Sequence, residues 1–139
     1  MFPGINATGS EAPPTLRRAL RVLVVDDEPD TVMTLLAILR DAGHDAEGFA
    51  SGPGAAKGFK DFDPDVIISD IAMPFVNGWD LAKEVRRAMG DKRPLMIAIS
   101  GQYTKGADKA LAQVHGFNHY LTKPCDPNVL LSLVEQARK

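Results

Sequence analysis

The stretch that decides the fold is Val22-Leu23-Val24-Val25-Asp26-Asp27-Glu28-Pro29-Asp30, residues 22–30. It begins with four consecutive apolar residues, three of them β-branched, with no in/out alternation. A strand buried on both faces reads this way, as in a parallel sheet covered by helices on two sides. The run stops at once in three acids, Asp26, Asp27 and Glu28. A hydrophobic strand that ends in a cluster of charge presents that charge at one edge of the sheet.

Working outward, the same kind of run recurs. Val66 to Ile68 and Leu95 to Ile99 are strong; His44 to Ala50 and Phe117 to Leu121 are weaker. Segments with helical spacing separate them. Leu35, Ile38, Leu39 and Ala42 fall at i, i+3, i+4, i+7. Ala107, Ala110, Leu111, Val114 and Leu130, Leu133, Val134, Ala137 repeat the pattern. Leu81, Val85 and Met89 form a further stripe, and Gly54 to Asp61, with two glycines, is the weakest helix. Five strand–helix units predict a (βα)5 doubly wound α/β domain with a five-stranded parallel sheet in the order 2-1-3-4-5.

Composition agrees. The 139 residues include 16 basic and 18 acidic side chains, a net charge of −2, which does not suggest a surface for nucleic acid. This length is expected to form one domain, with no space for a separate output half. The lone Cys125 excludes an internal disulfide and a cysteine metal cage. No apolar run is long enough for a membrane span and no signal-peptide core is seen, so the expectation is a soluble, cytoplasmic domain. Residues 1–20, rich in Pro, Gly and small polar residues, read as a flexible leader with a possible helical turn over Thr15 to Leu20. Residues 21–139 form the domain.

The polar residues stand where the apolar runs stop. Asp26 and Asp27 follow the first strand, Asp70 the third and Ser100 the fourth, and Lys123 lies just after the fifth. Open α/β sheets bind ligands at this carboxyl edge, where strand order reverses. Order 2-1-3-4-5 brings Asp26, Asp27 and Asp70 together. Three carboxylates at one place repel, so either some protonate or a cation neutralises them. Hard oxygen ligands with open positions suit Mg²⁺. An aspartate beside such an ion can act as a nucleophile towards phosphorus, and Lys123 and Ser100 are natural counter-groups for a phosphoryl group.

VLVVDDEPD, VIISDIAMPFVNG, AIS and YLTKP, in that order and spacing over about residues 21–138, resemble the response-regulator receiver domain, the CheY-like family of flavodoxin-like fold. The resemblance implies that Asp70 is the phosphoacceptor. It implies that Asp26 and Asp27 hold Mg²⁺ together with Asp70 and the backbone carbonyl of Ala72. Ser100 is then the switch hydroxyl, Lys123 the lysine that pairs with the phosphoryl group, and Tyr120 the rotating switch aromatic. Ala72 and Gln102 occupy the two positions that tune phosphoryl lifetime. Pro74 and Gly78 match the turn after the phosphoacceptor, and the bond before Pro124 is expected to be cis. The implied donor is a sensor histidine kinase or a phosphotransfer protein. The implied reader is a downstream protein, or a second copy docking through the fourth helix, fifth strand and fifth helix. The implied role is phosphorelay signalling, not turnover of a separate substrate. The domain could stand alone or belong to a hybrid histidine kinase.

Taken singly, each aspartate would read as a helix cap and Ser100 as a turn residue; the ordered set favours the site. Tyr120 could simply pack one face of the sheet. His44, His115 and His119 lack metal-ligand spacing and read as surface or satisfied core residues. Trp79 reads as a packing residue, Cys125 as unreactive, and Phe75 as exposed on the loop over the site. Two other functions remain as alternatives. A haloacid-dehalogenase-like phosphatase shares aspartyl-phosphate chemistry, but its nucleophile sits on the first strand in a D-x-D pattern. A receiver fold used only as an interaction scaffold would not be phosphorylated.

Overall fold

A computed structural model describes residues 18–101 and 106–138. The elements run β1 (Arg21–Val25), α1 (Pro29–Asp41), β2 (Asp45–Phe49), α2 (Gly52–Phe62), β3 (Val66–Asp70) and α3 (Gly78–Met89). They continue with β4 (Leu95–Ser100), α4 (Gly106–Val114), β5 (His119–Thr122) and α5 (Pro127–Glu135), ending in a 3-10 turn, Gln136–Arg138. All strand pairs are parallel, in the order β2-β1-β3-β4-β5. This is the expected doubly wound sheet.

Strand periodicity divides the core into two layers. Leu23, Val25, Ile67, Met96 and Ala98 face the layer that holds buried residues of α2, α3 and α4. Val22, Val24, Val66, Ile68, Ile97 and Ile99 face the layer under α1 and α5. Central strands buried on both sides need apolar residues at every position, which explains the unbroken runs in the sequence. The edge strand β2 reads weakly because Asp45, Glu47 and Gly48 are exposed. A Cβ on Gly48 would lie 2.3 Å from the Val32 side chain, so this glycine lets α1 approach.

The glycines that weaken α2 in sequence have a packing reason. A Cβ on Gly58 would meet the Phe49 ring at 2.5 Å. Helix starts are defined by side chains. Ser51 accepts from the Gly54 N–H at α2, Asn77 and Asp80 form a capping box at α3, and Asp126 accepts from the Asn128 N–H at α5.

Two expectations need correction. Leu20, placed in the leader, is fully buried in the α1/α5 layer. It continues the period of Val22 and Val24, and residues 18–20 are not helical. Most of the leader, residues 1–17, lies outside the described residues. The apolar stripe assigned to α4 is also shifted. Leu111 is 46% and Val114 79% exposed, whereas Ala112 is buried. Along α4 the sheet is met by Ala112 alone among residues 109–114, with Phe117 filling the space beyond the helix end. Among residues 109–114 the core side of α4 lies at Ala112 and not on the Leu111 and Val114 stripe.

Candidate functional site

The site is built from the carboxyl ends of β1, β3, β4 and β5. The register brings the ends together: Val25 is opposite Ser69, Asp70 opposite Ile99, and Ser100 opposite Thr122. Asp26 continues β1, and its N–H donates to the Phe49 carbonyl at 3.1 Å. Its side chain is completely buried. Oδ1 accepts from the Glu28 N–H at 2.9 Å. Asp70 is also buried, and its Oδ1 accepts from the Ile71 N–H at 2.8 Å. Asp27 is exposed at the mouth. Oxygens of Asp26, Asp27 and Asp70 lie within 4.8 Å of one another.

Lys123 enters from β5. Its N–H donates to the Ser100 carbonyl at 2.9 Å, and its peptide bond to Pro124 is cis, as expected. The ammonium lies 2.7 Å from Asp26 Oδ2, 3.5 Å from Asp70 Oδ2 and 3.4 Å from Glu28 Oε1. The Asp26 contact is off the direction a hydrogen bond needs. That buried oxygen therefore has a charged neighbour but no directed donor. A buried carboxylate oxygen with a charged neighbour but no directed donor, beside two further carboxylates, fits a hard divalent cation. The group can hold a metal.

The charges perturb one another. Burial pushes the Asp70 carboxyl above its ordinary value, and Asp26 adds to this, with Lys123 opposing. Burial alone would lower the Lys123 ammonium, but the contact with Asp26 and the charges of Asp70 and Glu28 raise it overall. The lysine therefore stays charged, while the carboxylates carry excess negative charge that a cation or a proton can relieve.

The β3–α3 loop frames the opening. A Cβ on Gly78 would lie 2.5 Å from the Asp70 carbonyl, so the turn back to α3 needs glycine there. Gly78 N–H also donates to the Ile71 carbonyl at 2.8 Å. Phe75 is 94% exposed and has φ +69°, a left-handed backbone that a bulky side chain rarely adopts. Asp27, Glu28, Asp70, Ala72, Gly101 and Lys123 line an open cavity of about 260 Å³. Ala72 is thus at the site, and Gly101 adds no side chain of its own to the entrance.

Ser100 is buried at the end of β4. Tyr120 lies opposite Ala98 and is half-buried against the α2/α3/α4 layer. Gln102 lies outside the described residues. Cys125 is half-buried, and burial pushes its thiol up, away from reactivity. Trp79 stacks on His115 with ring centroids 4.7 Å apart and meets Phe117 edge-on. His44 is buried, and His119 is hydrogen-bonded to Gln136. None of the three histidines joins the carboxylate cluster. The residue that sequence reasoning left without a role is Glu28. Its place next to the acidic pair was the available signal.

A set of two acids just after β1, a buried aspartate at the end of β3 and a lysine just after β5 is the arrangement of a receiver of two-component signalling. The model of the response regulator receiver domain matches residues 22–135, and the chain belongs to that family. An uncharacterized 14.6 kDa protein of Leptolyngbya boryana is 36% identical over 115 residues, covering 83% of this chain and 87% of that protein. The chemotaxis protein CheY4 of Vibrio cholerae superposes with a TM-score of 0.79 at 29% identity, over 86% of this chain and 99% of that one. The receiver domain of the sensor histidine kinase PA1611 of Pseudomonas aeruginosa gives 0.75 at 25% identity, over 86% and 97%. That structure has a magnesium ion coordinated in its active-site cleft. No helix among the described residues is long and apolar enough to cross a membrane.

Proposed function

We propose that this domain accepts a phosphoryl group on Asp70 from a phosphohistidine of a sensor histidine kinase or phosphotransfer protein. The observation that carries the reading is the shared lysine: Lys123 lies between buried Asp26 and buried Asp70, beside an oxygen that lacks a directed donor. An Asp70 carboxylate oxygen attacks phosphorus and forms the P–O bond as the P–N bond breaks. The electron pair of that bond leaves with the imidazole. Asp26, Asp27, Asp70 and the Ala72 carbonyl would hold Mg²⁺, which supplies charge neutralisation for the phosphoryl oxygens when bound. Lys123 and Ser100 provide the remaining counter-groups.

Phosphorylation replaces the single charge of the Asp70 carboxylate with about two on the phosphoryl oxygens. These draw Ser100 and Lys123 inward, and Tyr120 moves into the space that Ser100 leaves. The altered face of α4, β5 and α5 then meets a downstream protein or a second copy. Ala72 and Gln102 set how fast water removes the phosphoryl group. The compartment that fits these partners is the cytoplasm.

Incubation with acetyl phosphate and Mg²⁺, read by intact mass, tests the reading. One phosphoryl adduct is expected, and none in Asp70→Asn. No adduct in the wild type, or one that persists in the variant, overturns it. Turnover of small phosphate monoesters would instead favour a phosphatase.

A further inference from the structure

Glu28 lies outside the set of residues that the receiver reading uses, yet it is the third acid on Lys123. Its position is tightly fixed. It is the residue before α1, with its carbonyl accepting from the Val32 N–H at 3.2 Å and its N–H donating to Asp26. Oε1 accepts from Thr31 Oγ1 at 3.2 Å and faces Lys123 Nζ at 3.4 Å. Glu28 and Lys123 both line two cavities. One is the cavity over Asp70. The other is a mainly apolar groove of about 440 Å³ between α1 and the segment after β5, whose walls include Leu35, Ile38, Pro124 and Cys125. Their ion pair therefore borders both spaces.

We propose that Glu28 is a positioning residue that competes with Asp70 for the Lys123 ammonium and holds it towards α1 until a phosphoryl group draws it away. The proposal rests on the receiver reading. The lysine has three N–H donors and three carboxylate neighbours. Glu28 Oε1 and Asp70 Oδ2 stand at nearly equal distances, 3.4 and 3.5 Å, so neither holds the ammonium by proximity alone. The ammonium touches both at once, so the pull of Glu28 weakens its hold on the phosphoacceptor. Thr31 aims the carboxylate oxygen that makes this contact. Because the Glu28 side chain is 67% exposed, the competition is modest and sensitive to salt.

The test uses the full chain with beryllofluoride as the phosphoryl mimic at saturating Mg²⁺. Glu28→Gln keeps the size and the Thr31 contact but removes the charge. It is expected to tighten beryllofluoride binding about two- to fivefold, the range of an exposed ion pair, with the difference closing in high salt. Thr31→Val keeps the charge but frees the carboxylate, and should move affinity in the same direction by less. If wild type does not bind the mimic, the receiver reading fails. If wild type binds and Glu28→Gln binds equally or more weakly, only the Glu28 proposal fails. If Glu28→Gln tightens binding and Thr31→Val changes nothing, direct repulsion of the anion explains the effect and the competition is refuted.

Discussion

At the amino edge of the sheet, the buried Asp65 carboxylate receives Arg18, Arg93 and the Arg21 N–H, at 3.3, 2.5 and 2.8 Å. At the carboxyl edge, Asp26, Glu28 and Asp70 share the Lys123 ammonium, and Asp27 lies beside Asp26 and Asp70. The first arrangement satisfies one acid with more than enough donors. The second sets three acids on one cation, with a fourth acid beside them. Both use buried carboxylates beside strand ends, so burial of charge does not separate structure from function. The balance does. A compensated acid holds chain segments together, whereas an uncompensated cluster keeps a repulsion that a bound cation would relieve.

The contrast predicts opposite signs for two substitutions. Asp65→Ala removes the acceptor for a backbone N–H at the start of β1 and two guanidinium partners. It should destabilise the fold by about 2 kcal/mol, seen as a lower urea midpoint with unchanged slope. The exposure of both arginine side chains, 64% each, keeps the loss from being larger. Asp70→Asn should do the reverse. Without divalent cation it relieves a buried carboxylate that burial and Asp26 both disfavour, and should stabilise by about 1 kcal/mol. A destabilised Asp70→Asn protein would show that the carboxyl edge is as well compensated as the amino edge.

The same contrast explains what could be seen in the sequence. The strands were legible because Val22 to Val25, Val66 to Ile68 and Leu95 to Ile99 must be apolar on both faces. Most of the candidate site was legible because Asp26, Asp27, Asp70 and Ser100 stand at the ends of those strands. The amino edge was not. Asp65 meets Arg18 from 47 positions away and Arg93 from 28, and nothing local announces either pairing. Arg86 was equally silent. It donates to the carbonyls of Gly90, Pro94 and Gly116 and to Asn118 Oδ1, tying the end of α3 to the approaches of β4 and β5. The face of α4 was misjudged because Leu111 and Val114 suggest a core that Ala112 in fact meets. Glu28 was visible as an acid, but a shared lysine is a matter of side-chain direction, which spacing does not encode.

A third prediction sharpens the comparison within the site. Phe75 combines a left-handed backbone with almost complete exposure, so no packing offsets its strain. Asn tolerates this conformation. Phe75→Asn should raise stability by about 0.5–1 kcal/mol, measured by thermal or urea unfolding. No gain would mean that the loop over the site is relaxed and that its strain does not belong to the uncompensated edge.

The smallest effect is expected at the amino edge and concerns pH. The buried His44 ring accepts from the Leu20 N–H through Nδ1 at 3.3 Å and faces Glu135 through Nε2 at 3.4 Å. With Nδ1 occupied as an acceptor, the ring is neutral and its proton is on Nε2. Burial lowers its pKa below the ordinary 6.5, Glu135 opposes this and Arg138 adds to it. The sign follows from linkage. Above about pH 6.5 neither the folded nor the unfolded imidazole is protonated, and His44 costs nothing. As pH falls below that value, the unfolded chain takes up the proton first, so stability is lost until the lower, folded pKa is passed. Unfolding midpoints at pH 7.5 and 5.5 should therefore differ more in wild type than in His44→Gln. Equal differences would mean that Glu135 fully offsets burial, and that the amino edge compensates its histidine as completely as it compensates Asp65.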